Sequence, residues 1–492
     1  MRFDIRILVF VLSCCCGCGC FSSALNAEQA QSSRPNIILC MTDDQGWGET
    51  GFNGHPILKT PHLDDMAASG LRFDRFYAAA PVCSPTRGSF LTGRHPNRFG
   101  CFSWGHTLRP QEVTVAEAVK SAGYTTGHFG KWHLGSVQAN SPVSPGNSGF
   151  DEWVSSPNFY ENDPWMSHNG VVTQLKGESS QATVDAALQF IKQADTKKQP
   201  FLAVIWFGNP HTPHEALPEL KAQYQNQSKA FQNYFGEITG VDHAMGHLRR
   251  QLRDLGLAEN TLLWFTSDNG PRPPQFKEEA ARSQATGGLA GWKGNLWEGG
   301  IRVPSMIEWP ARIKKPEITN VPCGTIDIYP TVLAITGAKV SHQPDLDGVS
   351  LLPLIDGQMA TRPHPMGFWT YPEKGHPKRS TEILLDLKSR QTPEQPNPEG
   401  PVPDADVASL ATQYSKDDLP GAAAWIDGDF KLIKSISKKE QPEYALYNLA
   451  LDRSEQHDLA GDDPERVQKM KTELLDWQKS VVDSLNGKDY AD

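Results

Sequence analysis

The sequence predicts an α/β protein built on a central, mostly parallel sheet flanked by helices, with a smaller carboxy-terminal α+β part that contains an antiparallel sheet. Three observations predict it. Pro35 to Met41, Phe201 to Phe207 and Thr261 to Thr266 are short, continuously apolar runs, the pattern of strands buried on both faces. Helix signals lie between them: Thr60-Pro61 opens a segment that closes at Gly70, and Thr114-Val115-Ala116-Glu117 reads as a capping box ahead of a helix closed at Gly123. Further on, Trp425 to Ile433 and Tyr444 to Leu449 read as antiparallel strands, and Asp463-Pro464 opens a helix with apolar residues at helical spacing through Trp477. Strands alternating with helices imply a parallel sheet, and ligands of such sheets gather at the carboxyl ends of the strands.

At 492 residues with 38% hydrophobic and 21% charged residues, the chain can bury a sizeable core, which excludes a disordered or fibrous polymer. Forty-seven Lys and Arg against 57 Asp and Glu give a net charge of −10, and no long basic run offsets it. No nucleic-acid partner is expected, and an anionic substrate requires a local cationic pocket. The expected layout is a signal segment over 1–27, a catalytic domain over 34–357 and a smaller domain over 358–492. A surface excursion near 372–420 is marked by Pro393, Pro396, Pro398, Pro401 and Pro403.

Arg2 and Arg6 precede an apolar run that extends through Cys14, Cys15, Cys16, Cys18 and Cys20 to Phe21 and then turns polar at Glu28-Gln29. The run is shorter than the roughly 20 residues of a spanning helix and reads as an export signal, for a periplasmic, extracellular or lipid-anchored product. Val11-Leu12-Ser13-Cys14 also resembles a lipoprotein cleavage box, so membrane contact is expected only through a lipid anchor. Without this segment four cysteines remain, Cys40, Cys83, Cys101 and Cys323, too few and too scattered for a disulfide framework and without a zinc-type CxxC pair.

The first apolar run ends in Asp43-Asp44 and the third in Ser267-Asp268-Asn269. Three carboxylates and an amide oxygen at one sheet edge are hard oxygen ligands, suited to Ca²⁺ or Mg²⁺, although either cluster alone also reads as ordinary turn residues. Val82-Cys83-Ser84-Pro85-Thr86-Arg87-Gly88-Ser89-Phe90-Leu91-Thr92-Gly93-Arg94 carries the pattern C-x-P-x-R followed by Leu-Thr-Gly-Arg. It resembles the type I sulfatases, the formylglycine-dependent family of arylsulfatase-like and N-acetylgalactosamine-6-sulfatase-like enzymes in the alkaline phosphatase superfamily. Gly123 to His133 resembles a second signature of that family and departs from it at Phe129, where a smaller residue is usual. Asn209-Pro210-His211-Thr212-Pro213-His214 resembles its His-x-Pro element and points to His211, and Lys293 to Gly300 resembles its Lys element ahead of Glu-Gly-Gly. Gly428 to Ile433 and Leu446 to Leu449 resemble its carboxy-terminal part, so the likeness covers nearly the whole mature chain.

The resemblance implies an alkaline phosphatase-like fold and hydrolysis of sulfate monoesters, of a sulfated carbohydrate or glycosaminoglycan fragment. It also implies a maturation partner that converts Cys83 to formylglycine, whose hydrate is the nucleophile. Asp43, Asp44, Cys83, Asp268 and Asn269 would surround the metal. Arg87 would stabilise the formylglycine, Lys131 and Lys293 would bind sulfate oxygens, His133 would assist elimination, and His211 would contact the leaving oxygen. Two alternatives stay open on the residues: a phosphonate monoester or phosphodiester hydrolase of the same superfamily, and a non-catalytic binder of sulfated glycans. Trp153, Tyr160, Trp165, Trp369 and Tyr371 are either sugar-stacking rings or core residues.

Overall fold

The computed structural model describes residues 34–377, 379–392, 395–437 and 441–490; the expected signal segment lies outside them. Strands β1 (Asn36–Thr42), β2 (Leu71–Phe73), β3 (Phe76–Tyr77), β4 (Thr125–Lys131), β5 (Glu152–Ser156), β6 (Trp165–His168), β7 (Val171–Gln174), β8 (Phe201–Trp206), β9 (Thr261–Ser267), β10 (Ser305–Glu308), β11 (Glu317–Thr319) and β12 (Cys323–Gly324) form two sheets. The large one has ten strands in the order β11-β2-β10-β9-β1-β8-β4-β5-β6-β7, and β3 pairs with β12 in the other. The three apolar runs are its centre: β1 lies between β8 and β9, parallel to both. Short antiparallel strands β6, β7 and β10 extend it on either side.

Both faces of the centre are covered, as the continuous apolar runs require. Ile37, Leu39 and Met41 meet Phe90, Leu91, Val115, Ile328 and Val332 from the helices Cys83–Thr92, Val115–Lys120 and Ile328–Thr336. Ile38 and Cys40 meet Leu63, Val184, Ile191, Val241 and Leu248 from Pro61–Ser69, Ser179–Thr196 and Lys229–Asp254. Each such aliphatic side chain contributes about 1.5–3 kcal/mol on full burial, so packing rather than intrinsic propensity fixes these layers. The helix after Thr114 starts where its capping box predicts, with Glu117 N–H on Thr114 and Thr114 N–H on Glu117.

Towards the end of the chain, β13 (Met366–Trp369), β14 (Ala423–Asp427), β15 (Phe430–Ile436) and β16 (Pro442–Asn448) form an antiparallel sheet in sequence order. The segment from Trp425 to Ile433, expected as strand, is two strands, because Gly428 takes a left-handed turn with φ 58° between Asp427 and Phe430. One face packs on the helix Pro464–Leu485, which runs past Trp477 and is capped by Asp463; the other packs on Tyr77, Ile301 and Ile326. The excursion is not wholly irregular: it contains the helix Ser380–Arg390, a proline-free segment that buries Leu384 and Leu387.

Charges cross between this sheet and the rest. Lys431 Nζ, fully buried, lies 2.9 Å from Glu298 Oε1 and 2.8 Å from Glu455 Oε1. Tyr77 Oη donates to Glu298 Oε2 at 3.0 Å, and the Glu298 N–H donates to Glu455 at 2.6 Å. Arg94, just after the helix Cys83–Thr92, pairs with Glu112 and with Asp489 from the far end of the chain, and Tyr490 donates to the same Glu112.

Candidate active site

Four strand ends meet at one edge of the large sheet, where β1 delivers Asp43 and Asp44, β9 delivers Asp268 and Asn269, β8 leads to His211, and β4 ends in Lys131. Parallel pairing makes this convergence inevitable, and hydrogen bonds lock it. The Asp43 N–H donates to Asn209 O at 3.0 Å, the Asp44 N–H to Asp268 Oδ1 at 3.1 Å, and Asn269 Nδ2 to Asp44 Oδ1 at 2.8 Å. Gly130 holds φ 102° where a Cβ would lie 1.9 Å from Trp206 O, so only glycine lets β4 pass this close to β8 and present Lys131.

Into this edge points the start of the helix Cys83–Thr92, with Cys83 itself 1% exposed. Ligand atoms of Asp43, Cys83 and Asp268 lie within 4.8 Å of one another, and so do those of Asp43, Asp44 and His211. One turn along the helix, Arg87 donates to Asp268 Oδ2 from Nη2 at 2.7 Å and from Nε at 3.1 Å, to Lys131 O at 3.1 Å, and lies over the Trp206 ring at 5.1 Å. Lys131 Nζ is 2.6 Å from Asp43 Oδ2. Lys293 Nζ is 2.5 Å from Asp44 Oδ1 and 3.9 Å from Cys83 Sγ. His133 is buried two residues beyond Lys131, in a left-handed conformation with φ 56°.

The donor set fits a hard divalent cation. Asp43 Oδ1 and Asn269 Oδ1 are buried acceptor oxygens that receive no hydrogen bond, which for such atoms is costly unless a cation takes their place as partner. Burial pushes the Asp268 carboxyl up to about 6, helped by Asp43 beside it and opposed by Arg87. Burial alone would raise Asp44 too, but the Lys293 ammonium and His211 hold it well below the usual carboxylate range. Burial also raises the Cys83 thiol, against the pull of Lys131 and Lys293.

His211 shows by its neighbours which ring nitrogen is committed. Its Nδ1 lies 2.6 Å from Thr212 O, a pure acceptor, so Nδ1 carries a hydrogen and Nε2, 3.7 Å from Asp44 Oδ2, is the nitrogen left facing the site. Burial lowers the ring to about 3, with Lys293 and Lys131 adding to the shift and Asp44 opposing it. Phe159 stacks on the imidazole at 4.5 Å and 16°. Sequence reasoning did not single out Phe159, although the loop that holds it follows β5 at the site edge. Phe129, the departure from the family pattern, is accommodated without disturbing Lys131: its ring lies over Gly127 and packs on Phe190 in the core.

Of the rings considered for sugar stacking, Trp153, Tyr160 and Trp369 belong to the core, 8%, 3% and 2% exposed. Trp165 lies under the Lys388 ammonium at 4.0 Å, and Tyr371 stacks on Phe102 at 4.6 Å.

The family model for Sulfatase matches residues 35–338. The chain belongs to the sulfatase family. It is a sulfuric ester hydrolase, and the match spans every strand end described above. The sulfatase is 32% identical over 371 residues to N-acetylgalactosamine-6-sulfatase of Mus musculus, covering 67% of this chain and 68% of that one. It is 32% identical over 385 residues to arylsulfatase A of Homo sapiens, covering 71% and 74%. Among solved structures, Ps i-CgsB in complex with k-i-k-neocarrahexaose superposes with a TM-score of 0.73 at 26% identity, over 90% of this chain and 93% of that one.

Beneath Arg87 in the sulfatase, His128 is enclosed by Trp132, Trp206 and Phe150, with Nδ1 2.7 Å from Ser155 Oγ. Burial, reinforced by Arg87, holds it well below its ordinary 6.5. A histidine kept neutral by folding adds stability that is complete above its unfolded value and is lost as pH falls below it, at about 1.4 kcal/mol per pH unit. Thermal unfolding measured from about pH 7.5 down to about pH 5 should therefore show a falling midpoint, with a shallower slope in His128→Asn; equal slopes would assign the acid sensitivity to other groups.

Proposed function

We infer that this sulfatase is an exported enzyme that removes sulfate from a sulfated carbohydrate or glycosaminoglycan fragment, using a formylglycine made from Cys83 and a divalent metal, Ca²⁺ or Mg²⁺. The observation that supports it best is the enclosure of Cys83 by Asp43, Asp268 and Lys293, with, beside it, oxygens of Asp43 and Asn269 that receive no hydrogen bond. When bound, the cation would polarise the sulfate ester as a Lewis acid and favour an oxyanion at position 83. Three carboxylates, Asp43, Asp44 and Asp268, face three cations, Arg87, Lys131 and Lys293. That balance leaves a cation-loaded pocket positive and suited to an anionic ester. The hydrated aldehyde derived from Cys83 would supply the attacking oxygen.

The remaining roles follow from position. Lys131 and Lys293 would turn from their carboxylates to the sulfate oxygens, where compact ammonium charges meet the negative charge that grows during attack. Arg87, held in two directions by Asp268 and Lys131 O, would fix the geometry around position 83. His211 offers Nε2 as its proton-exchanging atom because Nδ1 is committed to Thr212 O. His133 would serve the release of sulfate. The relatives named for N-acetylgalactosamine-6-sulfate, and the neighbour holding a neocarrahexaose, favour a sugar.

The test is sulfate release from a panel of singly sulfated mono- and oligosaccharides, an aryl sulfate and matched phosphate esters. The enzyme should be co-produced with a formylglycine-generating partner and assayed before and after chelation and Ca²⁺ or Mg²⁺ re-addition. Mass analysis of the Cys83 peptide accompanies it. Release from one sugar position, lost on chelation, with the peptide mass of an aldehyde, is the expected result; an unmodified thiol in an active enzyme would refute the nucleophile.

A further inference from the structure

Thirteen tryptophans occur in the chain, and only Trp104 stands clear of the protein surface, at 38% exposure. Its place is specific. The next residue, Gly105, donates its N–H to Ser84 Oγ at 2.8 Å, which fastens the loop to the neighbour of Cys83. Trp104 O accepts the His376 N–H at 2.9 Å, so a second loop is fastened to the first. Gly375 in that second loop passes directly under the indole: a Cβ there would lie 2.3 Å from Cδ2 and Cε2. One face of the ring is thus seated on backbone and the exposure belongs to what remains of it.

The same two loops carry polar groups. His106 and His376 stack on one another at 5.0 Å and 17°, and His106 Nε2 lies 2.9 Å from Lys374 O, which puts its hydrogen on Nε2 and leaves Nδ1 as an acceptor. Behind them Phe102, Tyr371 and Tyr414 pack together, with Phe102 and Tyr371 stacked at 4.6 Å, so the two loops share a small aromatic core. A flat apolar ring held on a loop hydrogen-bonded to the neighbour of Cys83, with two imidazoles in the same pair of loops, matches one chemistry well. The C–H face of a pyranose packs on the indole and its hydroxyls reach the imidazoles.

We propose that Trp104, seated on Gly375 in the loops that also carry His106 and His376, binds a sugar ring neighbouring the sulfated one, so that the substrate is a sulfated oligosaccharide rather than a monosaccharide. This rests on the carbohydrate reading above and narrows it. An aryl sulfate fills only the pocket at Cys83 and does not need the platform; an oligosaccharide uses both.

The experiment compares kcat/KM on a sulfated tetrasaccharide with kcat/KM on an aryl sulfate, for wild type, Trp104→Ala, Trp104→Phe and Gly375→Val. The last variant displaces the indole without removing it, and circular dichroism checks that each variant folds. The ratio of the two constants should fall roughly tenfold in Trp104→Ala and Gly375→Val, mainly through KM, and recover to within about threefold of wild type in Trp104→Phe. Titrating the desulfated tetrasaccharide into wild type should also shift tryptophan emission, and the shift should vanish in Trp104→Phe. An unchanged ratio together with an unshifted emission overturns the platform while leaving the carbohydrate reading intact. Cleavage of aryl sulfate with no sulfated saccharide turned over by wild type overturns both.

Discussion

Cys83→Ala is expected to lower sulfate-ester turnover by at least about 10⁴-fold, because on the proposed formylglycine mechanism it removes the attacking group itself and leaves only binding and electrostatic stabilisation. Only one sulfur atom is removed, so although the side chain is 1% exposed the substitution should lower the melting temperature by no more than a few degrees. The informative comparison is Cys83→Ser. A serine hydroxyl occupies the same place at the start of the helix Cys83–Thr92 and keeps Lys293 and the Asp43–Asp268 edge around it, but it lacks a second hydroxyl on the same carbon. It should therefore stay within about tenfold of the alanine variant in multiple-turnover assays. A serine enzyme that turns over near the wild-type rate would sink the formylglycine reading and leave a simple hydroxyl nucleophile in its place.

Lys431→Met should destabilise the protein by about 3–5 kcal/mol near neutral pH, the usual cost of leaving buried charges without their partner. Lys431, Glu298 and Glu455 have side chains with no exposure, and the lysine serves both carboxylates. Burial, with Glu298 adding repulsion and Lys431 opposing it, already raises Glu455 to about 7. Removing the lysine takes away the group that keeps it down. A carboxyl whose folded-state value lies above its unfolded one stabilises the fold fully below the unfolded value and loses that contribution as pH rises through the folded one. The variant's deficit in urea denaturation should consequently shrink as pH is lowered from about 8 to about 5. A deficit below about 1 kcal/mol, or one that grows towards acid, would contradict this account of the cluster.

The sequence made the central layer and much of the site legible for a shared reason. β1, β8 and β9 are buried on both faces and so read as unbroken apolar runs, and the polar residues that stop those runs, Asp43-Asp44 and Asp268-Asn269, are the ones their parallel pairing brings together. For Arg87 the plainer reading, a carboxylate partner, describes what the fold shows, since Asp268 holds it on two nitrogens. Elements that depend on remote partners were not legible. β10, β11 and β12 are too short to carry a period, and the helix Ser380–Arg390 is obscured by the prolines that follow it. Lys431 reads as an ordinary polar residue of a half-exposed strand, because its partners are 133 residues before it and 24 after it in the chain. Exposure of aromatics was equally hidden. Nothing local separates Trp104 from Trp153, and only the fold decides that the second joins the core while the first stays open.

Cys83 ends up almost inaccessible, enclosed by Asp268 and Lys293 and within reach of the Lys131 charge, all contributed by later parts of the chain. Synthesis proceeds from the amino terminus, so there is an interval in which residues around position 83 have emerged and their future covers have not. An enzyme that modifies the thiol must work inside that interval or on a chain held open. On the proposed formylglycine mechanism the order in which the polypeptide is made would thereby become a condition of activity, and variants that hasten closure of this edge would be expected to leave a larger unmodified fraction than variants that delay it.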